Sequence, residues 1–179
     1  MTVELVTGHT GEAHVTSSQA RAYNLGTFGG GKVLPTKAQW EYTLGSNQIT
    51  IATGDAVLPN GGHVTNEAPV TLNIAAGTAG KYRIDLVGIE YSVDSVTGVE
   101  SADLVIITGT PGSSAAAPSY DADTFLPLYS LFIDGLSVES VTAQHIPADP
   151  SVVGVALPLL PFATTRSISF TSSGSVARY

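Results

Sequence analysis

The 179-residue chain contains no cysteine, which removes disulfides, thiolate metal centres and thiol nucleophiles from consideration. Such a chain is compatible with folding in a reducing cytoplasm. Basic residues are scarce as well: seven Lys and Arg stand against fifteen Asp and Glu, for a formal net charge of −8. The seven are scattered, whereas phosphate backbones are held by clustered cations, so nucleic acid is not expected as a partner. Charged residues make up 12% of the chain, about half of the ~25% common in soluble domains. Long hydrophobic runs are also lacking. The longest, Val152 to Ala163, is interrupted by Gly154, Pro158 and Pro161 and is too short to span a bilayer, so no membrane partner is expected. The opening Met1-Thr2-Val3-Glu4-Leu5 has no basic region ahead of an apolar stretch, and no secretory signal is expected from it.

What the chain does contain favours strands. Val, Ile and Thr supply 48 of the 179 residues, while 19 glycines and 10 prolines discourage long helices. The expected fold is mainly β, an antiparallel sandwich or barrel-like domain with extended N- and C-terminal arms. Residues 1–40 read as a docking arm: Val3–Thr7 as a short strand, Gly8-His9-Thr10-Gly11 as a turn, and Ser17 or Ser18 as the cap of one helical turn through Ala22. Gly29-Gly30-Gly31 leaves the path beyond it open. Residues 41–142 read as the antiparallel domain. Residues 143–179, with Pro147, Pro150, Pro158 and Pro161, read as an extended C-terminal arm.

Within the central zone, Gln48–Ala52 places Ile49 and Ile51 on one face, Val70–Ile74 alternates cleanly, and Asn60-Gly61 signals a hairpin. The longest strand candidate is Tyr82–Val93. Its apolar residues occupy even positions up to Leu86 and odd positions from Val87, so the apolar face changes beside Gly88. A one-residue bulge there and a strand buried on both sides are equally good explanations. Asp134-Gly135, between Phe125–Ile133 and Leu136–Val141, is the pair that type I′ hairpins prefer. Turns at intervals of about ten residues fit a sandwich or barrel.

Chemistry-bearing constellations are weak. His9 and His14 with Glu12 between them have the wrong spacing for one helix face and lack a third ligand, so no metal or other cofactor is expected. Asp121, Asp123 and Asp134 do not follow a calcium-loop pattern. Gly29-Gly30-Gly31-Lys32 lacks the spacing of a phosphate loop, and no Gly-x-Ser-x-Gly elbow occurs. Trp40 reads as a core anchor. No catalytic constellation emerges, and the chain is not expected to be an enzyme. Charge, however, is uneven: from Ile84 to Asp149 there are ten acidic residues and no Lys or Arg, while residues 1–40 carry a net positive charge. Such asymmetry lets the front of one copy meet the acidic body of another.

Several segments, in order, resemble the N-terminal module of baseplate and tail-fibre structural proteins from tailed phages of Gram-positive bacteria. They are Val3-Glu4-Leu5-Val6-Thr7-Gly8, Gly11 to Ser17, Asn24-Leu25-Gly26-Thr27-Phe28-Gly29, and the more distinctive Tyr82-Arg83-Ile84-Asp85-Leu86-Val87 with Tyr91. Thr97-Gly98-Val99-Glu100-Ser101, Leu104-Val105, Gly109-Thr110-Pro111 and Pro127-Leu128-Tyr129 continue the set, which covers about three quarters of the chain. The resemblance implies a virion structural protein of the tail or baseplate, made in the host bacterial cytoplasm. It would assemble with itself by β-sheet packing and exchange of its arms, as a trimer before other stoichiometries, and with other tail proteins, sometimes as an adaptor for receptor-binding parts. Relatives commonly continue into a fibre shaft or head domain, which puts direct host recognition by this chain in question. The interaction residues expected from the two arms are Val3, Leu5, His9, His14, Phe28, Val152, Val153, Leu157, Leu159, Leu160 and Phe162. Two alternatives stand beside this reading. One is a carbohydrate-binding module in which Tyr120, Asp121 and Asp123 contact a cell-wall saccharide; the other is a head decoration protein.

Overall fold

A computed structural model describes residues 15–147. Val3, Leu5, His9, His14 and the expected contact residues from Val152 to Phe162 therefore lie outside the described residues, as do the N-terminal strand and the His9–Glu12–His14 grouping. The described chain runs α1 (Ser17–Phe28), β1 (Lys32–Val33), β2 (Tyr42–Gly45), β3 (Gln48–Ile51), β4 (Gly54–Val57), β5 (His63–Asn66) and β6 (Val70–Asn73). It continues through β7 (Tyr82–Val93), β8 (Glu100–Ile107), β9 (Phe125–Asp134), β10 (Ser137–Ala143) and β11 (Ile146–Pro147).

The described residues form three sheets: β10-β9-β7-β8, β11-β1-β4-β5 and β2-β3-β6. All pairings are antiparallel except that of β1 with β11. Among the described residues no barrel closes, and the arrangement is that of a β-sandwich. One core joins the sheets. The large sheet contributes Val87, Ile89, Leu126, Leu128, Leu131 and Ile133, and the smaller sheets contribute Val33, Ile49, Ile51 and Ala56. Ile49 and Ile51 do share the buried face of β3, and Asn60-Gly61 does lie in the turn between β4 and β5, with Gly61 at φ 84°. Val33 and Trp40, within the stretch read as an arm, are both 1% exposed and belong to the core.

The parity change at Gly88 does not mark a bulge in β7. The register of β7 with β8 runs unbroken from Leu86↔Ile107 to Val93↔Glu100, so β7 itself has no bulge. Against β9 the register jumps from Val87↔Tyr129 to Gly88↔Pro127, which leaves Leu128 as the extra residue on β9. Core-facing residues of β9 accordingly switch from even (Leu126, Leu128) to odd (Tyr129, Leu131, Ile133). Pro127 has no N–H to give a ladder, which suits a residue at such an irregularity. β7 lies between β8 and β9 and is buried on both sides from Asp85 to Ile89.

The odd face of β7 points to the core from Arg83 to Ile89, but its first two positions there are Arg83 and Asp85, 4% and 0% exposed. Their side chains meet as a two-point ion pair. Arg83 Nη2 donates to Asp85 Oδ2 at 3.0 Å; Nε lies 2.8 Å from Oδ1, without hydrogen-bond alignment. Arg83 also donates to the carbonyls of Ala75 and Ala76, while Asp85 Oδ1 accepts from the Gly109 N–H at 2.8 Å. Burial of this charge pair is tolerable because the charges face each other and, Arg83 Nε apart, the side-chain nitrogens and oxygens that would otherwise be stranded are hydrogen-bonded. The pair fastens two loops to the central strand.

Two further expectations are corrected. α1 is capped by Thr16, not by Ser17 or Ser18, and it runs twelve residues instead of one turn. Gln19 N–H donates to Thr16 Oγ1, and Thr16 N–H donates to Gln19 Oε1, a reciprocal capping box. The β9–β10 loop is Gly135-Leu136, with Asp134 paired to Ser137. Gly135 has φ 58° and Leu136 is not left-handed, the sign pattern of a type II′ turn in place of the type I′ expected.

Candidate functional site

Three surface features carry the described polar chemistry. The first lies where α1 meets the sandwich. No residue of α1 is buried, so the helix is not docked by an apolar stripe. Arg21, its only charged residue, does the holding. The guanidinium donates to Tyr91 Oη at 3.2 Å, sits 5.2 Å from the centroid of that ring, and pairs with Glu100 on β8. Tyr91 in turn donates to Glu100 Oε1 at 3.0 Å. Glu100 is held below the usual carboxylate range by the Arg21 hydrogen bond, with Tyr91 and the Arg21 charge adding to it. Asn24 Nδ2 donates to the Gly61 carbonyl at 2.9 Å, one turn further along. A cavity of about 400 Å³ opens beneath the helix, lined by Arg21, Asn24, Leu58, His63, Tyr91 and Ala102 among others.

The second feature is a charged cluster on the β4–β5 face. Lys37 Nζ contacts Thr65 Oγ1, Asp55 Oδ1 at 3.1 Å and Glu67 Oε1 at 2.6 Å; Thr36 Oγ1 donates to Asp55 Oδ2 at 2.6 Å. Burial pushes the Asp55 carboxyl up, but hydrogen bonds from Thr36, Thr65 and Lys37, with the lysine charge, outweigh it and lower the carboxyl from 3.8 to about 2. Lys37, Gln39 and Trp40 all adopt left-handed φ, of 54°, 51° and 62°. That conformation is costly for residues with a Cβ. The surrounding structure enforces it: Trp40 is anchored in the core, its Nε1 donating to the Asp55 carbonyl at 3.1 Å, and its carbonyl accepts from Tyr129 Oη at 2.9 Å. The indole lies so close over Gly54 that a Cβ there would stand 2.5 Å from Nε1. Ionised partners at these distances make a brace. A lysine held charged and a carboxyl held ionised are poor choices for nucleophile and acid.

The third feature contains Tyr120. This ring is 43% exposed and tilted against Phe125 at a centroid distance of 5.2 Å. It lines a cavity of about 420 Å³ with Gly30, Pro59, Leu126, Pro127 and His145. Asp121 and Asp123 do not line it. Asp121 instead shapes the turn into β9: its Oδ1 accepts from the Asp123 N–H and its carbonyl from the Phe125 N–H. Asp134 lies at the far end of β9, so the three aspartates are not brought together as one group. Among the described residues no group of three His, Cys, Asp or Glu is placed to hold a metal ion. Likewise, no helix there is long and apolar enough to cross a membrane. Phe28, the one described member of the expected arm contacts, is half-buried at the C-terminal end of α1.

Reasoning from the sequence missed Arg21, Tyr91 and Glu100 as a unit, because 70 residues separate the helix from the hairpin. The one available signal was the placement of a lone cation ahead of a body rich in acids. Comparison with protein-family models, with curated proteins and with solved structures finds no match to this chain.

Proposed function

We propose that this chain is a structural subunit of a phage tail or baseplate, assembling with copies of itself and with neighbouring tail proteins and catalysing nothing. The observation that carries the reading is the β7–β8 hairpin. Its outer half is exposed and presents Val93, Val96 and Val99, with Val96 91% exposed. This tip is stiff. Asp94 Oδ1 accepts from the Val96 and Thr97 N–H groups and from the Thr97 hydroxyl, at 2.7 to 2.9 Å. A preorganised finger that shows apolar side chains to solvent is suited to a neighbour that covers it. The more distinctive part of the motif set described above falls on this same hairpin and the strand beside it, and supplies the tail-protein context.

The test is gel filtration with light scattering, joined to immunogold labelling of intact particles. A homo-oligomer that labels the tail supports the reading. A strictly monomeric protein that labels no particle overturns it, and a label confined to the head moves it to a decoration role.

A second reading keeps one observation in its favour. Tyr120 stands at the rim of the 420 Å³ cavity beside Phe125, an aromatic platform of the kind a sugar ring stacks on. Binding to a cell-wall glycan that disappears in Tyr120→Ala would favour a receptor-recognition module. Silence across a broad glycan panel would count against it.

A further inference from the structure

α1 is tied to the sandwich by contacts that another copy can supply equally well. Its docking surface on the body is Tyr91, Glu100 and the backbone of Gly61, against which Leu25 and the Arg21 carbonyl rest. None of these contacts depends on burying the helix. The helix leads into Gly29-Gly30-Gly31, where Gly29 and Gly31 have φ of 74° and 67°; three successive glycines restrict the path of this connection less than any other residues would. Charge supports a second copy as the occupant: Arg21 is the single charge of α1, and the surface that receives it lies in the stretch from Ile84 to Asp149 that has ten acids and no Lys or Arg. His63 and Tyr91 are the other titratable groups lining the cavity under the helix. Each copy thus offers one cationic helix and one acidic seat, complementary to each other and on segments far apart in the sequence.

We propose that α1 is an exchanged arm, seated in the assembled protein on the Tyr91–Glu100–Gly61 surface of a neighbouring copy. The inference rests on the reading of this chain as a self-assembling subunit. Contacts are the same in the closed and exchanged forms, so the hinge and the local concentration of copies decide between them. Passing each helix to the next copy is a head-to-tail contact, and such contacts close into rings when the rotation permits.

The absence of cysteine makes the test clean. Ala20→Cys on the helix and Ala102→Cys on the hairpin both line the cavity and are both exposed. The two variants are made in separate full-length chains, mixed, given time to exchange and treated with a short bismaleimide, since a disulfide demands tighter geometry. Covalent heterodimers are expected in the mixture and are expected to be lost when Arg21→Glu is added to the Ala20→Cys chain. An oligomeric mixture without interchain product overturns the exchange and leaves the assembly reading intact. A chain that is monomeric by light scattering, and that as the double-cysteine variant crosslinks solely within itself, overturns both.

Discussion

Gly88 is required for space. A Cβ built on it would meet the Phe125 ring and stand 2.5 Å from the Leu126 carbonyl oxygen, and its φ is not left-handed. Conformational freedom, which a bulge within β7 would have asked of this residue, is therefore not what the position needs. Gly88→Ala is expected to destabilise by ~1–3 kcal/mol and Gly88→Val by more, as a lower urea midpoint at unchanged slope. A harmless alanine would remove the argument from close approach. The Arg83–Asp85 pair yields a second prediction. Asp85→Ala strands a buried guanidinium and the Gly109 N–H, and should cost ~3–5 kcal/mol; Arg83→Met with Asp85→Leu should cost less than that single change, which a double-mutant cycle measures. The pair also explains why the parity of β7 misled: two charged residues hold core positions, and hydrophobic alternation assigns charges to the outside. Asp55 provides the pH dependence. Its folded-state value is depressed from 3.8 to about 2, so its contribution is present above about pH 4 and is lost as the pH falls toward 2. Stability measured across that window should fall less steeply in Asp55→Asn than in the parent chain.

Among the elements, α1 shows how far helix formation and helix docking can be separated. Its capping box is local and is written in Thr16 and Gln19, but it has no buried stripe, so no 3.6-residue apolar period reveals its length. Thr16→Ala is expected to cost ~1 kcal/mol in the local stability of the helix. Hydrogen exchange should quicken at the amides of α1, while the global melting temperature barely moves because no core residue belongs to the helix. A large drop in melting temperature would mean that α1 is integral to the sandwich. The strands β3 and β6 were legible because burial alternates along each: Ile49 and Ile51 are buried on β3, and Val70 and Leu72 are half-buried between exposed neighbours on β6. β9 was not: nothing in Phe125–Asp134 except Pro127 marks where an extra residue enters, and the bulge exists only in relation to the register of β7.

For the whole molecule, the core among the described residues draws on positions from Val33 to Ile133. Deleting residues 151–179 is expected to lower oligomer content by light scattering more than it lowers the melting temperature. Equal losses would show that the segment belongs to the interior of the sandwich. Composition alone determined the class of this protein: β-branched residues, frequent turn signals and sparse charge leave few alternatives to stacked antiparallel sheets, because strand preference and burial are properties of each residue and its near neighbours. Tertiary structure alone decided the placement of the charges. Lys37 with Asp55 and Glu67, Arg83 with the Ala75, Ala76 and Gly109 backbone, and Arg21 with Tyr91 and Glu100 form contacts between distant segments. An ion pair is a matter of a few ångströms in space, a distance that no local pattern encodes before the sheets have found their register.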